Sequence, residues 1–441
     1  MIVSIALFMS SVDQTIVATA LPALQHDLHA RVNLSGWTIT VYSLGQVLAM
    51  PLAGKISDQY GRRKVFLAAV TLFTTASLCC GFANDIYLLI VLRAVQALGG
   101  GAFMPSATGI VSDLFGRDRD RAVGLFSSIF PIGGIVGPLL GGVFVTYWSW
   151  RGIFLVNVPI GLALLGLGRL FIPRSEPRPS SRLDVRGVAL LGVTLLTAML
   201  GVTSLGSSHS SPASPGFLVP EILSAVALAL FVRHSRRAAA PFIPPQFLHG
   251  RGFGVMNLLN FLLGAAAVGI GALVPLYAEN RYRLPTLPAA TLLTARAVGM
   301  IVIAGLAVFL LRRTGYRWPM IAGFGTLAAG LLLMAASPAG LSPYAWLAIG
   351  AGVCGAATGM SMPAANNATL QLASGNTAAI AGLRGMFRQA GSITAVSVST
   401  AIVARSADPG MAQAHVFMGF AVILLCALPL VALVPEYRGR W

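Results

Sequence analysis

Acidic residues are scarce in this chain: 13 Asp and Glu stand against 30 Lys and Arg, and charged residues of both signs make up only 10% of the 441 positions. Soluble domains carry roughly 25% charged residues. A chain that is 56% hydrophobic, with a mean hydropathy of +0.80, therefore cannot close into a soluble globule. Cysteine is equally thin. Cys79, Cys80, Cys354 and Cys426 all fall in apolar runs without the paired spacing of a metal site, and read as packing residues. The six His residues are scattered. No Ser/His/Asp grouping, no Gly-rich phosphate loop and no His-rich cluster supports catalysis or nucleotide use. The expectation is a protein that is not an enzyme and has neither cofactor nor metal.

Apolar sequence is what the chain has in abundance. A spanning helix needs about 20 mainly apolar residues, and cutting the chain at its charged, Pro-rich and Gly-rich breaks predicts fourteen of them. Their centres lie near Thr15, Tyr42, Thr74, Gly99, Ile135, Leu162 and Val193, then Val226, Leu263, Val302, Thr326, Gly352, Ala395 and Leu424. The first begins at Met1 and reads as a span, not as a removable signal peptide.

Basic residues crowd alternate loops, among them Lys55, Arg62, Arg63, Lys64, Arg117, Arg119, Arg121 and Arg174, with Arg384 and Arg388 counted on the same side. The opposite loops hold only Arg31, Arg151, Arg281, Arg283 and Arg405. By the positive-inside rule both termini are expected in the cytoplasm, which requires an even number of spans. The net charge of +17 thus belongs to membrane orientation and not to nucleic-acid binding, because no soluble module gathers it. The spans group as an N-terminal six-helix half (1–173), two inserted helices with their linkers (174–251) and a C-terminal six-helix half (252–441). Two such halves, with a substrate site between them at mid-membrane, are the plan of one large transporter class.

Asp13 lies about halfway along the first apolar run. An ionisable residue at that depth is functional by default, and burial favours its protonated form, so Asp13 reads as a proton-coupling site. Arg93 is too deep in the fourth run to snorkel to the interface and calls for a carboxylate or carbonyl partner. The loop from Gly54 to Lys64 places Gly54 and Gly61 where a tight turn is needed. Within it, Asp58 can cap a helix end or pair with Arg62 or Arg63. In the fifth run, Gly133, Gly137 and Gly141 recur every fourth residue, which lets helices approach closely. Pro138 removes a backbone hydrogen bond there, and Gly142 completes the string.

These strings, with Asp13 to Pro22 and Trp148 to Gly161, resemble the fourteen-span drug:proton antiporters of the major facilitator superfamily over nearly the whole chain. The resemblance implies the major facilitator fold and a conformational gate at Gly54, Asp58, Gly61, Arg62 and Arg63. It also implies proton exchange involving Asp13 and Arg93, and an antiporter motif at Gly133, Gly137, Pro138, Gly141 and Gly142. Ala97 stands where the family usually has Gly, and Ala18 where it commonly has Asn. The implied function is proton-coupled export of lipophilic drugs or related small molecules from the bacterial cytoplasm, by a monomer driven by the proton motive force. A proton-coupled transporter of a metabolite such as a sugar or organic acid is the alternative.

Thr15, Gln96, Arg296, Asn366 and Gln389 are the candidates for substrate contact. Asp13 is the only deep carboxylate in the sequence reading, which favours neutral, monocationic or weakly acidic lipophiles over dications. If Arg296 faces the cavity, it is placed either to pair with Asp13 or to receive an anionic group of the substrate.

Overall fold

The computed structural model describes residues 1–30, 32–127, 129–174, 184–204, 211, 213–238, 241–250, 252–271, 273–338, 340–372 and 377–434. Among them every regular element is helical. The chain opens with α1 (Ile2–Asp27), α2 (Val32–Tyr60), α3 (Arg62–Gly81) and α4 (Ile86–Phe115). A short α5 (Arg119–Ser127) precedes α6 (Ile129–Tyr147), and a single turn, α7 (Gly152–Leu155), precedes α8 (Asn157–Phe171). The middle of the chain forms α9 (Val185–Ser204), α10 (Pro215–Arg237) and the short α11 (Pro245–His249). Next come α12 (Phe253–Leu263), a π-helical stretch from Gly264 to Ile270, and α13 (Val274–Tyr282). The last five are α14 (Thr286–Thr314), α15 (Arg317–Ala335), α16 (Pro343–Gln371), α17 (Thr377–Ala404) and α18 (Pro409–Val431).

Each of the fourteen predicted centres falls within one of these helices. By length and composition, nine helices among the described residues can cross a membrane, or ten if α1, bent by 48° beyond Val17, counts as one span. The broken run at α12 and α13 was expected as one continuous helix; its one proline, Pro275, stands at the start of α13, after the π-helical stretch.

The chain divides into two compact units, one of residues 1–180 with 373–386 and the other of 181–372 with 387–441. In the first, α4 is deeply enclosed, with Arg93, Gln96 and the unbroken run from Gly99 to Val111 buried. Glycines let it sit there: a Cβ at Gly99 would stand 2.7 Å from the carbonyl of Ala69 in α3, and one at Gly101 2.8 Å from Ala49 in α2. The apolar core of this unit includes Val12, Ile16, Leu89, Ile153 and Phe154. The second unit has its own, around Met256, Leu259, Phe324, Leu327 and Phe417.

By contrast, only 17% of the α10 window is buried. Leu218, Val219, Ile222, Leu223 and Val226 are exposed along it, as a lipid-facing helix requires. This helix and α9 pack on each other, with Ser224 Oγ donating to the Thr194 carbonyl at 3.0 Å.

Asp184 clasps the base of that hairpin. Its Oδ1 accepts the Gly187 N–H at 2.9 Å, capping α9, and lies 2.7 Å from His234 Nε2 in the last turn of α10. Its Oδ2 accepts the Phe242 N–H at 3.0 Å. Burial pushes this carboxyl up, but the bonds from Gly187, His234 and Phe242 outweigh it and hold the acid below its usual range. A depressed folded pKa means stability that is full above the ordinary carboxylate pKa and fades as the pH falls through the folded value. Asp184→Ala is therefore expected to lower the thermal unfolding temperature at pH 7, the capping bond alone contributing about 0.5–2 kcal/mol. The gap to wild type should close below about pH 4, which a thermal scan of purified protein at several pH values checks.

Candidate functional site

Five helices of the first unit bring polar side chains to Asp13, which is fully buried. Arg93 of α4 is buried as completely, and its Nη1 donates to Asp13 Oδ2 at 2.6 Å. The other carboxylate oxygen, Oδ1, accepts from Gln96 Nε2 and from Asn157 Nδ2, each at 2.9 Å. Both amides also donate to Ser77 Oγ at 3.0 Å, and that hydroxyl donates to the Phe154 carbonyl. Gln96 Oε1 accepts a second bond from Arg93 Nη1 at 2.7 Å, while Arg93 Nε donates to the Thr38 carbonyl at 3.2 Å. The guanidinium lies 4.0 Å over the Tyr42 ring, a cation–π contact that adds to its stabilisation.

The expected partnership of the deep acid is thus with Arg93. Arg296, the other partner considered, lies in the second unit, where its Nη2 donates to the Ala267 carbonyl. Asn157, Ser77, Thr38 and Tyr42 were not anticipated as site residues. Their only signal in the sequence is a polar group in an apolar run, which membrane helices use widely.

The loop ahead of α3 forms a second polar cluster. Gly61 has φ 98°, a conformation that favours glycine, and turns the chain sharply into Arg62. Gly54 makes no turn; α2 continues through it to Tyr60, and the expected pair of turn glycines reduces to one. Arg62 is 4% exposed. Its guanidinium donates to the Gly109 carbonyl and lies 3.2 Å from Asp58 and 2.7 Å from Asp113. It also donates to Thr377 Oγ1 at 3.0 Å, while Asp58 Oδ2 accepts the Ala379 N–H at 3.2 Å in the first turn of α17. The loop of the N-terminal half is thereby bonded to the start of a late helix. Arg63 reaches the Arg169 carbonyl near the end of α8 at 2.5 Å.

The glycine string of α6 faces α1. A Cβ at Gly133 would lie 2.6 Å from Ser11 Cβ, one at Gly137 would overlap Thr15 Oγ1 and stand 3.0 Å from the Val12 carbonyl, and one at Gly141 would overlap Thr19 Oγ1. The seam runs beside Asp13 on the facing helix. Gly142 points away from it, with nothing within 4 Å. The backbone of α6 is helical through Pro138, whose side chain lies outside the described residues.

The five substrate-contact candidates divide between the two units. Gln96 belongs to the Asp13 cluster and Thr15 to the glycine seam, whereas Arg296, Asn366 on α16 and Gln389 on α17 lie in the second unit. Asn366 is buried and Gln389 half-buried. Arg384 and Arg388, counted with the inner loops in the sequence, lie seven and eleven residues beyond Thr377, well inside α17.

Membrane-length helices thus enclose a dry acid–arginine pair. The chain belongs to the Major Facilitator Superfamily, whose sequence profile matches residues 3–396. It is 30% identical over 75% of its length to a multidrug transporter protein of Bacillus subtilis, covering 61% of that relative. It is also 30% identical over 83% of its length to a multidrug resistance protein B homolog of Mycobacterium tuberculosis, covering 68% of it. The chain spans about half to two thirds of the length of several curated relatives it matches. Its fold is similar to that of a human organic anion transporter, with a TM-score of 0.71 over 98% of each chain; at 16% identity this is a likeness of fold alone.

Removing one partner of a buried ion pair costs about 3–5 kcal/mol, whereas replacing both with apolar groups is often neutral. Arg93→Leu is expected to lower the thermal unfolding temperature sharply, and Asp13→Leu with Arg93→Leu to restore much of it; the same scan measures both. Overpacking of a tight contact costs about 1–3 kcal/mol. Gly137→Ala should therefore destabilise, while Gly134→Ala, where nothing lies within 4 Å, should unfold at the wild-type temperature.

Proposed function

We propose that this protein is a proton-coupled antiporter that exports lipophilic small molecules across a bacterial cytoplasmic membrane by alternating access. The observation that carries this reading is the Asp13–Arg93 pair, fully buried and joined to Gln96 and Asn157. The relatives' names, multidrug transporter and multidrug resistance protein, support drugs as the cargo class. In this reading the chain crosses the membrane fourteen times with both termini in the cytoplasm. Residues 1–173 and 252–441 are the two halves and 174–251 the inserted pair. The protein works as a monomer and needs no cofactor beyond the proton motive force.

The chemistry follows from what a proton does to the cluster. Added to Asp13, it turns an acceptor of three bonds into a donor and removes the charge that balances Arg93. Arg93 is then a buried cation with only the Gln96 and Thr38 oxygens, a costly state in a dry interior. That cost favours a rearrangement in which α1 shifts along the α6 glycines. The bonds from Arg62 and Asp58 to Thr377 and Ala379 hold one conformation and release in the other. The cytoplasm-facing form loses the proton and loads the substrate; the outward-facing form binds a proton and lets the substrate go.

The test uses purified protein in liposomes with a trapped pH dye, an imposed proton gradient and a panel of lipophiles of different charge. Substrate-triggered proton flux is expected from wild type and is expected to fall at least ~100-fold in Asp13→Asn, a loss equal to about 2.7 kcal/mol. Wild-type flux in the variant would remove Asp13 from the coupling step.

A further inference from the structure

The second unit holds two arginines at membrane depth that no carboxylate balances. Arg296 makes a hydrogen bond to the Ala267 carbonyl, and its Nε is buried without an acceptor among the described residues. Arg388 forms no ion pair or hydrogen bond among the described residues and is only partly exposed. No carboxylate acts on either guanidinium among the described residues. Both helices meet the same π-helical stretch. Arg296 bonds to its middle, and a Cβ at Gly264 would overlap the Arg388 carbonyl, while one at Gly269 would stand 2.7 Å from the Ser392 carbonyl. Single π-helical turns recur at functional sites, and here the extra residue presents the Ala267 carbonyl to Arg296.

Depth puts both charges within the hydrocarbon layer. Arg296 lies ten residues after the start of α14 and Arg388 eleven after the start of α17, which at 1.5 Å per residue is about 15 and 16 Å. With α15 and α16 between them in the chain, α14 and α17 run in opposite directions. Both helices are longer than a hydrocarbon layer of about 30 Å, so each arginine stands inside that layer, Arg296 counted from one face and Arg388 from the other. A partly exposed guanidinium at that depth cannot face lipid without a large cost, and arginines so placed face a water-filled cavity or a bound partner. Substrate sites of transporters built this way lie at mid-membrane beside interrupted helices.

From this we infer that Arg296 and Arg388, set on either flank of the Gly264–Ile270 stretch, form the binding site for the carboxylate of an amphiphilic organic acid. The planar guanidinium matches a carboxylate through two parallel N–H bonds. This assignment rests on the export reading for its role as a substrate site, and it sharpens the charge class from lipophiles in general to monoanions.

The experiment is calorimetric titration of 2-naphthoate and of the isosteric 2-naphthamide into the protein in lipid nanodiscs, with empty nanodiscs as the blank for partitioning. Wild type is expected to bind naphthoate at least ~10-fold more tightly than the amide, the scale of a charge-assisted bond. Arg388→Gln and Arg296→Gln should each bring the two ligands within about threefold of each other without weakening the amide, and Arg388→Lys should keep a preference for the anion. Equal affinities in wild type overturn the assignment, whatever the variants do, as does a preference that survives in both Gln variants. Naphthoate binding that depends on Arg388, without proton flux for any compound in liposomes, upholds the site and removes export. Flux with neutral lipophiles and no anion preference does the reverse.

Discussion

A carboxylate and a guanidinium held together out of contact with water constrain everything around them. The Asp13–Arg93 pair has no solvent to share its charge, so every remaining lone pair and N–H must be met by a placed group, or the desolvation cost stands. The side chains of Gln96, Asn157 and Ser77, with the Thr38 carbonyl, are those groups, drawn from α4, α8, α3 and α2; Arg93 Nη2 alone in the pair is left without an acceptor among the described residues. The arrangement fixes the relative positions of five helices with a handful of bonds. It also makes those positions depend on the charge of a single acid.

Mobility around such a rigid cluster has to come from contacts without side chains. The glycines of α6 supply it: Gly133, Gly137 and Gly141 leave α1 resting on backbone and on Ser11, Thr15 and Thr19 instead of on interlocked side chains. A surface of that kind is close-packed but smooth, so α1 can shift along it without unlocking side chains. The Arg62 cluster is its opposite. Four acceptors converge on one nearly buried guanidinium, and an interaction so specific exists in one arrangement or not at all. In the proposed mechanism, charge addition at Asp13, the smooth seam beside it and the Arg62 cluster act together as a two-state device.

The second unit uses different chemistry at comparable depth. It holds arginines without a carboxylate partner where the first pairs Arg93 with an acid, and its α12 gives way to a π-helical stretch. The interruption needs the close approach of α17, which Gly264, Gly269 and Gly391 permit by leaving room for its backbone or for that of α12. An exposed carbonyl in the stretch then finds a donor in Arg296.

The sequence by itself determined whatever is local. Apolar runs of spanning length located the helices, the four-residue spacing marked the α6 seam, Gly61 marked the turn, and a charge alone in an apolar run marked Asp13. Each of these signals is written within one helix or one loop. Only the tertiary structure decided what crosses from one element to another. Arg93, 80 residues from Asp13, and Arg296 were both deep arginines in want of a partner, and nothing in a linear order says which one stands beside the acid. Asn157 and Ser77 were passed over because uncharged polar residues in membrane helices acquire meaning only from their neighbours. The break in the ninth predicted run begins eleven residues before that run's one proline, Pro275, and arises from the contact of Gly264 and Gly269 with a helix more than a hundred residues later. Hydropathy and periodicity describe how a segment meets its solvent, whereas pairing depends on depth, rotation and the helix alongside, and those exist only once the chain has folded.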